Sequence, residues 1–339
     1  MDTNELVTAN NPGFHYYGRW HLGLAATTIT NGAECEFAYT GNACALSFDT
    51  SAPGMVFPII AYWIDGAGPF RAPLDASGVV RLAPTYNAKP GATQPCPEVC
   101  CDCHLVRFMA NVESGYPMRN NNWTTRRDAV KFLGAQLGRG ESLPPSPSNP
   151  DTIEFLGDSI TASLRLLFTA STPDGPVSSA PEANWTEHAS RLLGLRAVVN
   201  GHGGQGINCG STDGAPPANL AFPHIFEGAG WSPSQHPKVV VVYHGSNDGA
   251  FTPEQYQSYL ATLRAAYPDA QLFAVVPHRA NRHAPAIQAA VRAMADRGTN
   301  FLDYSDAISL PDLSDGLHLN PGGAVRLGLR LANDIQARR

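Results

Sequence analysis

The sequence predicts a chain in which an antiparallel β-sandwich precedes a three-layer α/β/α domain with a parallel sheet. Three observations predict this fold class. The 339 residues exceed what a single hydrophobic core usually holds. Short apolar segments separated by Gly, Pro and Asn fill the first part, whereas strand-like and helix-like segments alternate in the last part. A stretch rich in Pro, Ser and Gly lies between them and is typical of a linker.

The N-terminal part, residues 1–137, is typical of a β-sandwich of the jelly-roll kind. Its apolar segments are short, turn residues separate them, and no long segment has the helical period. The turn signal Thr40-Gly41-Asn42 divides the first two candidate strands. The candidate strands are residues 34–39, 43–48, 58–64, 78–82, 104–110 and 129–133.

The linker is predicted at residues 138–150 and the α/β domain at residues 151–339. Strand-length apolar segments here alternate with helical segments of about 10–15 residues, the pattern of a parallel sheet covered on both faces. Thr252, followed by Pro253 and Gln255, marks the start of one helix. The candidate strands are residues 152–156, 196–200, 238–243, 270–276 and 300–304, and the candidate helices are residues 183–193, 253–267, 284–297 and 321–337.

The composition limits the classes of partner. Apolar residues make up 43% and charged residues 15% of a chain with net charge −6, which is typical of a folded protein. No basic cluster stands out, so we expect neither nucleic acid nor an anionic membrane as a partner. The first residues lack the basic and apolar regions typical of an export signal, and no apolar run approaches the ~20 residues that span a bilayer. The sequence as written predicts a cytoplasmic protein, or a secreted one if a signal was removed.

Seven cysteines are present, and four of them fall between Cys96 and Cys103. This cluster has the composition of a metal site, but it lacks the two separated ligand pairs of a zinc site. Packed or free thiols are favoured over one or two disulfides, and a metal site ranks last.

Chemically active residues follow the candidate strands of the α/β domain. Ser159 follows the first strand, a glycine-rich turn follows the second, Asn247 follows the third, and Asp315 and His318 follow the fifth. The carboxyl ends of parallel strands meet at one edge of a sheet, so these groups are expected to converge. Ser159 is the candidate nucleophile, His318 its general base, and Asp315 the residue that orients the imidazole. This set has the parts needed for acyl transfer.

The same edge offers hydrogen-bond donors for a developing oxyanion. The candidates are the backbone N–H of Ser159, the backbone N–H of Gly204 and the side-chain amide of Asn247, with Gly206 as the alternative glycine. Each feature alone has an ordinary explanation, since such a serine is usually a helix cap and Asn247-Asp248-Gly249 is usually a turn. The glycine turn matches neither the dinucleotide nor the Walker spacing. The joint occurrence at strand ends favours catalysis.

Four short blocks carry a resemblance to a known family. They are Gly157-Asp158-Ser159-Ile160-Thr161, the glycine turn after the second strand, Gly245-Ser246-Asn247-Asp248 and Asp315-Gly316-Leu317-His318. In content and order they resemble the blocks of the SGNH, or GDSL-type, hydrolases. The resemblance covers residues 151–339. It implies a serine hydrolase with an acyl-enzyme intermediate and no metal or cofactor.

The N-terminal part adds a narrower resemblance. Its segments Tyr17-Gly18-Arg19-Trp20, Ile64-Asp65-Gly66 and His104-Leu105-Val106-Arg107, joined by the linker to the serine block, are similar to carbohydrate esterase family 2. This likeness implies an esterase that removes acetyl groups from xylan and related polysaccharides. The Cys96–Cys103 cluster and His244 depart from the pattern, and His244 is expected to alter the pocket.

Substrate contacts are predicted at Trp185, Trp231, Tyr243 and His244, although buried aromatics are the usual alternative. Three other functions stay open on the sequence alone. They are hydrolysis of short-chain or aryl esters without a sugar, carbohydrate binding by the sandwich beside an inactive hydrolase domain, and acyl transfer to another sugar. The intact catalytic set argues against an inactive domain.

Overall fold

The computed structural model describes residues 5–41, 43–82, 103–112, 121–138, 142–144, 150–232 and 236–338. The N-terminal elements are β1 (Glu5–Thr8), β2 (His15–Tyr17), β3 (His21–Leu22), β4 (Ala26–Thr28), β5 (Glu34–Thr40), β6 (Cys44–Phe48), β7 (Ile59–Ile64), β8 (Ala67–Pro73), β9 (Val79–Leu82), β10 (Cys103–Asn111), α1 (Asn122–Thr125) and β11 (Val130–Leu137). Each predicted strand of this part is present. Strands β1 to β4 and β8 were not predicted, and in β8 the Gly and Pro residues weaken the strand pattern.

The N-terminal strands form two antiparallel sheets that enclose one core. One sheet has the order β3-β4-β11-β6-β9, with β1 also paired to β11, and the other has the order β2-β5-β10-β7-β8. The ring of Phe108, from the second sheet, lies 4.9 Å from Phe132 and 5.8 Å from Phe48 of the first. Aromatic rings from both sheets thus interlock between them. The predicted β-sandwich is confirmed.

The C-terminal part alternates strands and helices as predicted. Its elements are β12 (Thr152–Gly157), α2 (Trp185–Leu193), β13 (Arg196–Gly201), α3 (Ala218–Ala221), β14 (His224–Phe226), β15 (Ala229–Gly230), β16 (Val239–Tyr243), α4 (Pro253–Ala266), β17 (Gln271–Val276), α5 (Ala284–Met294), β18 (Thr299–Asp303) and α6 (Pro321–Gln336). Thr252 caps α4 through a capping box with Gln255, as the sequence suggests. Helix α5 ends before the predicted residue 297, because Ala295 takes φ +52°.

The five long strands form one parallel sheet in the order β13-β12-β16-β17-β18. Helices α2 and α6 pack on one face of this sheet and α4 and α5 on the other. The α/β/α domain is therefore confirmed. The chain order reverses beside β12, because β13 lies on one side of it and β16 on the other. In open α/β sheets this switch point opens a crevice at the carboxyl ends of the strands, where ligands bind.

The sandwich packs against the α/β domain through buried polar contacts. Arg19 pairs with Glu154 on β12, and Asn31 Nδ2 donates to the backbone oxygen of Ala162 at 3.0 Å. A second cluster joins residues of β5 and β10 to residues of β13 and α2. It contains Glu34, Glu36, Arg107, Glu187 and Arg196.

Burial alone would raise the pKa of Glu34 in this cluster. The guanidinium groups of Arg107 and Arg196 outweigh burial and hold that pKa below its ordinary value. Glu34 is therefore a charged centre between two cations from different domains.

Two predicted features fall partly or wholly outside the described residues. Residues 139–141 and 145–149 of the predicted linker lie outside them, as do Cys96, Cys100 and Cys101 of the cysteine cluster. Within the described ranges Cys35 and Cys209 are free thiols. No described helix is long and apolar enough to cross a membrane.

Candidate active site

Ser159 lies in a tight turn directly after β12. Gly157 begins this turn, and a Cβ atom there would lie only 2.1 Å from Thr161 Oγ1, so only glycine fits. The turn is closed by Asp158, whose Oδ1 accepts the N–H of Ile160 at 3.0 Å. Residues 159–167 form turns and no helix, so Ser159 is not a helix cap. Its Oγ lies 3.0 Å from Nε2 of His318.

His318 is held by the short loop that also carries Asp315. Its Nδ1 lies 2.8 Å from Oδ2 of Asp315, while Oδ1 of the same carboxylate accepts the backbone N–H groups of Leu317 and His318. Burial would raise the pKa of Asp315, but its hydrogen bonds to His318 and its contact with Arg165 hold that pKa well below its usual range. Asp315 is thus a carboxylate, and it fixes the imidazole so that Nε2 faces Ser159.

Two backbone N–H groups at the site have no acceptor in the described part of the chain. They belong to Ser159 and Gly204, and Gly204 has φ +77°, a conformation that favours glycine. The alternative glycine has no donor to offer, because the N–H of Gly206 binds the backbone oxygen of Cys209 at 3.0 Å. The structure thus favours Gly204 over Gly206 as the oxyanion donor.

Asn247 joins the serine turn to the glycine turn. Its Nδ2 donates to Oδ2 of Asp158 at 3.0 Å and to the backbone oxygen of Gln205 at 3.1 Å. The amide therefore lies where the sequence places it, but both of its N–H groups already have acceptors. An oxyanion that binds the Asn247 amide has to replace one of these two acceptors.

Asp248 anchors the glycine turn and was not predicted. Its Oδ2 accepts the N–H of Ile207 at 3.0 Å, and its Oδ1 accepts the N–H of Asn208 at 2.8 Å. A Cβ atom on Gly206 would lie 2.5 Å from this carboxylate, which explains the glycine. The sequence signal was the acid next to Asn247, which we interpreted only as part of a turn.

Asp158 is a second unpredicted residue at the centre of the site. Burial raises its pKa to about 6, although the Ile160 N–H, the Ser246 hydroxyl and nearby His318 act in the opposite direction. The carboxyl group is fully buried between the serine turn and Asn247. It thus links the turn that carries Ser159 to the side-chain amide of Asn247.

The predicted substrate contacts need correction at Trp185, Tyr243 and His244, because all three side chains are buried. Trp185 and Tyr243 are 1% and 0% exposed and pack against each other in the core below the site, so neither offers a face to a sugar ring. Trp185 Nε1 donates to the backbone oxygen of Ile160 at 3.2 Å and so supports the serine turn. Tyr243 binds His278, whose Nε2 lies 3.0 Å from the backbone oxygen of Leu317. Both aromatics belong to the core between the sheet and helices α2 and α6.

The other two predicted contacts also have structural roles. Trp231 is partly buried at the domain contact, with the Arg19 guanidinium 3.3 Å from its ring centroid. His244 is 1% exposed, and its Nε2 lies 3.3 Å from Oε1 of Gln205. Burial is the main cause that lowers the pKa of His244 to about 3, so this ring is neutral at ordinary pH. It supports the glycine turn from below.

The described residues contain no group of three or more His, Cys, Asp or Glu side chains that could hold a metal ion. The hydrogen-bonded series at the site runs from the carboxylate of Asp315 through the imidazole of His318 to Ser159, with two backbone donors beside the serine. This is the geometry for nucleophilic attack on a carbonyl carbon with general-base assistance.

Comparison with known proteins agrees with this geometry. Residues 155–326, about half of the chain, match the model of the GDSL-like Lipase/Acylhydrolase family. Cellulase/esterase CelE of Acetivibrio thermocellus is 29% identical over 289 residues, which are 81% of this chain but 32% of CelE. The chain thus spans about a third of the length of that relative.

Two solved structures share the whole fold. A family two carbohydrate esterase from Cellvibrio japonicus superimposes with a TM-score of 0.80 at 16% identity, covering 100% of this chain and 98% of that one. A family two carbohydrate esterase from Clostridium thermocellum, in complex with cellohexaose, has a TM-score of 0.77 at 18% identity, with 96% and 99% coverage. The chain therefore belongs to the GDSL-like lipase/acylhydrolase family, with a two-domain fold like that of the family two carbohydrate esterases.

Proposed function

We propose that this chain is a serine esterase that hydrolyses small acyl esters, above all O-acetyl groups on polysaccharides or oligosaccharides such as xylan. The observation that carries the proposal is the continuous hydrogen-bonded series from Asp315 through His318 to Ser159. Membership of an acylhydrolase family supports ester chemistry.

The first half-reaction transfers the acyl group to the enzyme. Ser159 Oγ attacks the ester carbonyl while His318 Nε2 takes its proton, and Asp315 stabilises the imidazolium. The N–H groups of Ser159 and Gly204 bind the oxyanion, and Asn247 turns one N–H from Gln205 towards it. The bond to the alkoxy oxygen then breaks, and His318 returns the proton to the departing sugar hydroxyl.

The second half-reaction releases the acid. A water molecule gives a proton to His318 and attacks the acyl carbon, which forms a second oxyanion at the same donors. The bond to Ser159 Oγ breaks, the serine regains its proton from His318, and acetic acid leaves and gives its proton to solvent. The cycle consumes one water and needs no cofactor.

The carbohydrate part of the proposal is supported by the relatives. CelE is a cellulase/esterase, and the Clostridium thermocellum enzyme binds cellohexaose. The match to these proteins extends over the sandwich as well as the α/β domain, because 96% of this chain is covered. The sandwich therefore belongs to the proposed esterase.

Release of acetate from acetylated xylan, acetylated mannan and simple acetyl sugars tests the proposal, with 4-nitrophenyl acetate as a general substrate. We expect turnover of 4-nitrophenyl acetate and of at least one acetylated carbohydrate. The variant Ser159→Ala is expected to lose about 10³-fold or more in kcat. The control Ser258→Ala, on the exposed side of α4, should retain full activity.

Three outcomes would count against parts of this proposal. Full activity of Ser159→Ala would show that Ser159 is not the nucleophile. Turnover of aryl acetate with no acetate release from any carbohydrate would replace the sugar substrate by a simple ester. An acylated product in the presence of an added sugar acceptor, with little free acetate, would make the enzyme an acyltransferase.

A further inference from the structure

The carboxylate of Asp315 has a second cationic partner besides His318. Arg165 Nη1 lies 3.1 Å from Oδ2 of Asp315, the same oxygen that binds His318 Nδ1. The side chains of Arg165 and Asp315 are 24% and 12% exposed, so solvent screens this contact only in part. A fixed positive charge therefore shares the oxygen that stabilises the catalytic imidazole.

Arg165 is itself held in place from three sides. Its Nε and Nη2 donate to Oδ2 of Asp174 at 3.1 and 2.5 Å, and its guanidinium carbon lies 5.3 Å from the ring centroid of Phe168. The backbone of Arg165 has φ +57° and that of Ser163 has φ +62°. Residues other than glycine occupy this region at a cost of about 1 kcal/mol or more, and such conformations gather at functional sites.

We propose that Arg165 is a positioning residue that limits how strongly Asp315 attracts the protonated imidazole of His318. The inference rests on the proposed function, because it concerns the general base of that reaction. The positive charge of Arg165 partly offsets the negative charge on Oδ2 of Asp315, and its hydrogen bond fixes the orientation of the carboxylate. Removal of Arg165 is therefore expected to strengthen the attraction between Asp315 and the protonated imidazole of His318.

Other charged or titratable groups around His318 do not change with Arg165. Asp158 faces the imidazole from the turn after β12, and His278 faces it from the loop after β17. Arg279 donates to the backbone oxygen of Gly316 in the loop of His318. A comparison between wild type and an Arg165 variant therefore removes one cation and leaves both of its carboxylate partners, Asp174 and Asp315, in place.

The test compares Arg165→Gln with wild type in the full chain. We expect the acidic limb of the kcat/KM profile for 4-nitrophenyl acetate to move to higher pH by about 0.5–1 unit. The titration midpoint of the His318 imidazole, followed by heteronuclear NMR, should move by the same amount. Arg264→Gln, which removes a comparable pair with Asp296 far from the site, should move neither.

Asp174→Asn provides a test with the opposite sign. It removes the anion that competes for Arg165, so the limb and the NMR midpoint should move to lower pH, and this variant serves if Arg165→Gln does not fold. An unmoved NMR midpoint in a folded Arg165→Gln protein overturns the inference, whatever the esterase activity. A shifted midpoint in a chain without esterase activity overturns the proposed function and leaves the inference on Arg165 standing.

Discussion

Arg19 of the β-sandwich and Glu154 of strand β12 form an ion pair that is closed off from solvent, with Nη2 2.9 Å from Oε1. The Glu154 carboxylate also accepts the hydroxyl of Tyr267, and Arg19 donates to the backbone oxygen of Phe222 at 2.8 Å. The ring of Trp231 covers the guanidinium. Since Glu154 precedes Ser159 on the same strand and turn, the sandwich holds the strand that delivers the nucleophile.

Removal of Arg19 is the first prediction. Arg19→Met leaves Glu154 buried without its cation, and breaking such a pair typically costs about 3–5 kcal/mol of unfolding free energy. Urea denaturation measures this loss. Lys238→Met breaks an exposed pair with Asp151 and should cost at most about 1 kcal/mol.

The double variant Arg19→Met with Glu154→Met distinguishes the charge from the packing. It removes the unpaired buried charge as well, so it should recover a large part of the stability lost in the single variant. Equal losses of unfolding free energy in Arg19→Met and Lys238→Met would show that the buried pair contributes no more to stability than the exposed pair.

The second prediction concerns Gly206. In Gly206→Ala the new methyl group meets the Asp248 carboxylate at 2.5 Å, so the glycine turn must shift. The N–H of Gly204 then moves away from the oxyanion, and we expect kcat to fall by about 10²-fold with a smaller change in KM. The control is Gly230→Ala, where a Cβ atom meets nothing within 4 Å. A kcat within twofold of wild type would contradict this account.

The third prediction follows from the pKa of Asp158, which burial raises to about 6. In the unfolded chain an aspartate has a pKa of about 3.9. The folded chain therefore holds a proton that the unfolded chain releases, and this group destabilises the fold as pH rises from about 4 to about 6. Two units of pKa correspond to about 3 kcal/mol.

Asp158→Asn removes this titration. Its unfolding free energy relative to wild type should improve by up to about 3 kcal/mol between pH 4 and pH 7. Urea denaturation at several pH values measures the difference, with the exposed Asp306→Asn as the control. A relative stability of Asp158→Asn that stays constant across this range would refute the role of burial.

Much of the site could be predicted from sequence because its chemistry follows strand ends. Ser159, Asn247, Asp315 and His318 each come directly after a strand or in the loop before the last helix, and parallel pairing brings such positions to one edge. The periodic patterns also predicted the sandwich and the α/β layers. The succession of strands, loops and helices along the chain determines both the layers and the edge at which these residues lie.

Which of the neighbouring side chains lie at the surface of the site, and which lie in the core, could be read only from the tertiary structure. Trp185 and Tyr243 looked like rim residues, but helix and strand packing turns them into the core. The position of the glycine turn depends on Asp248, which lies on another loop and accepts the N–H groups of Ile207 and Asn208. Such outcomes depend on side-chain direction and on partners far away in the chain, and no local pattern encodes either.

The two fold classes and the order of the four sequence blocks could be predicted from the sequence, which also proposes Ser159 as nucleophile and His318 as its base. The tertiary structure decided how Arg19 and Glu154 join the domains and how Arg165 reaches Asp315 across 150 residues of sequence. The difference lies in how far apart along the chain the interacting residues are. Hydrophobic period and turn chemistry act within a few residues, whereas buried charges find their partners only after the layers have packed.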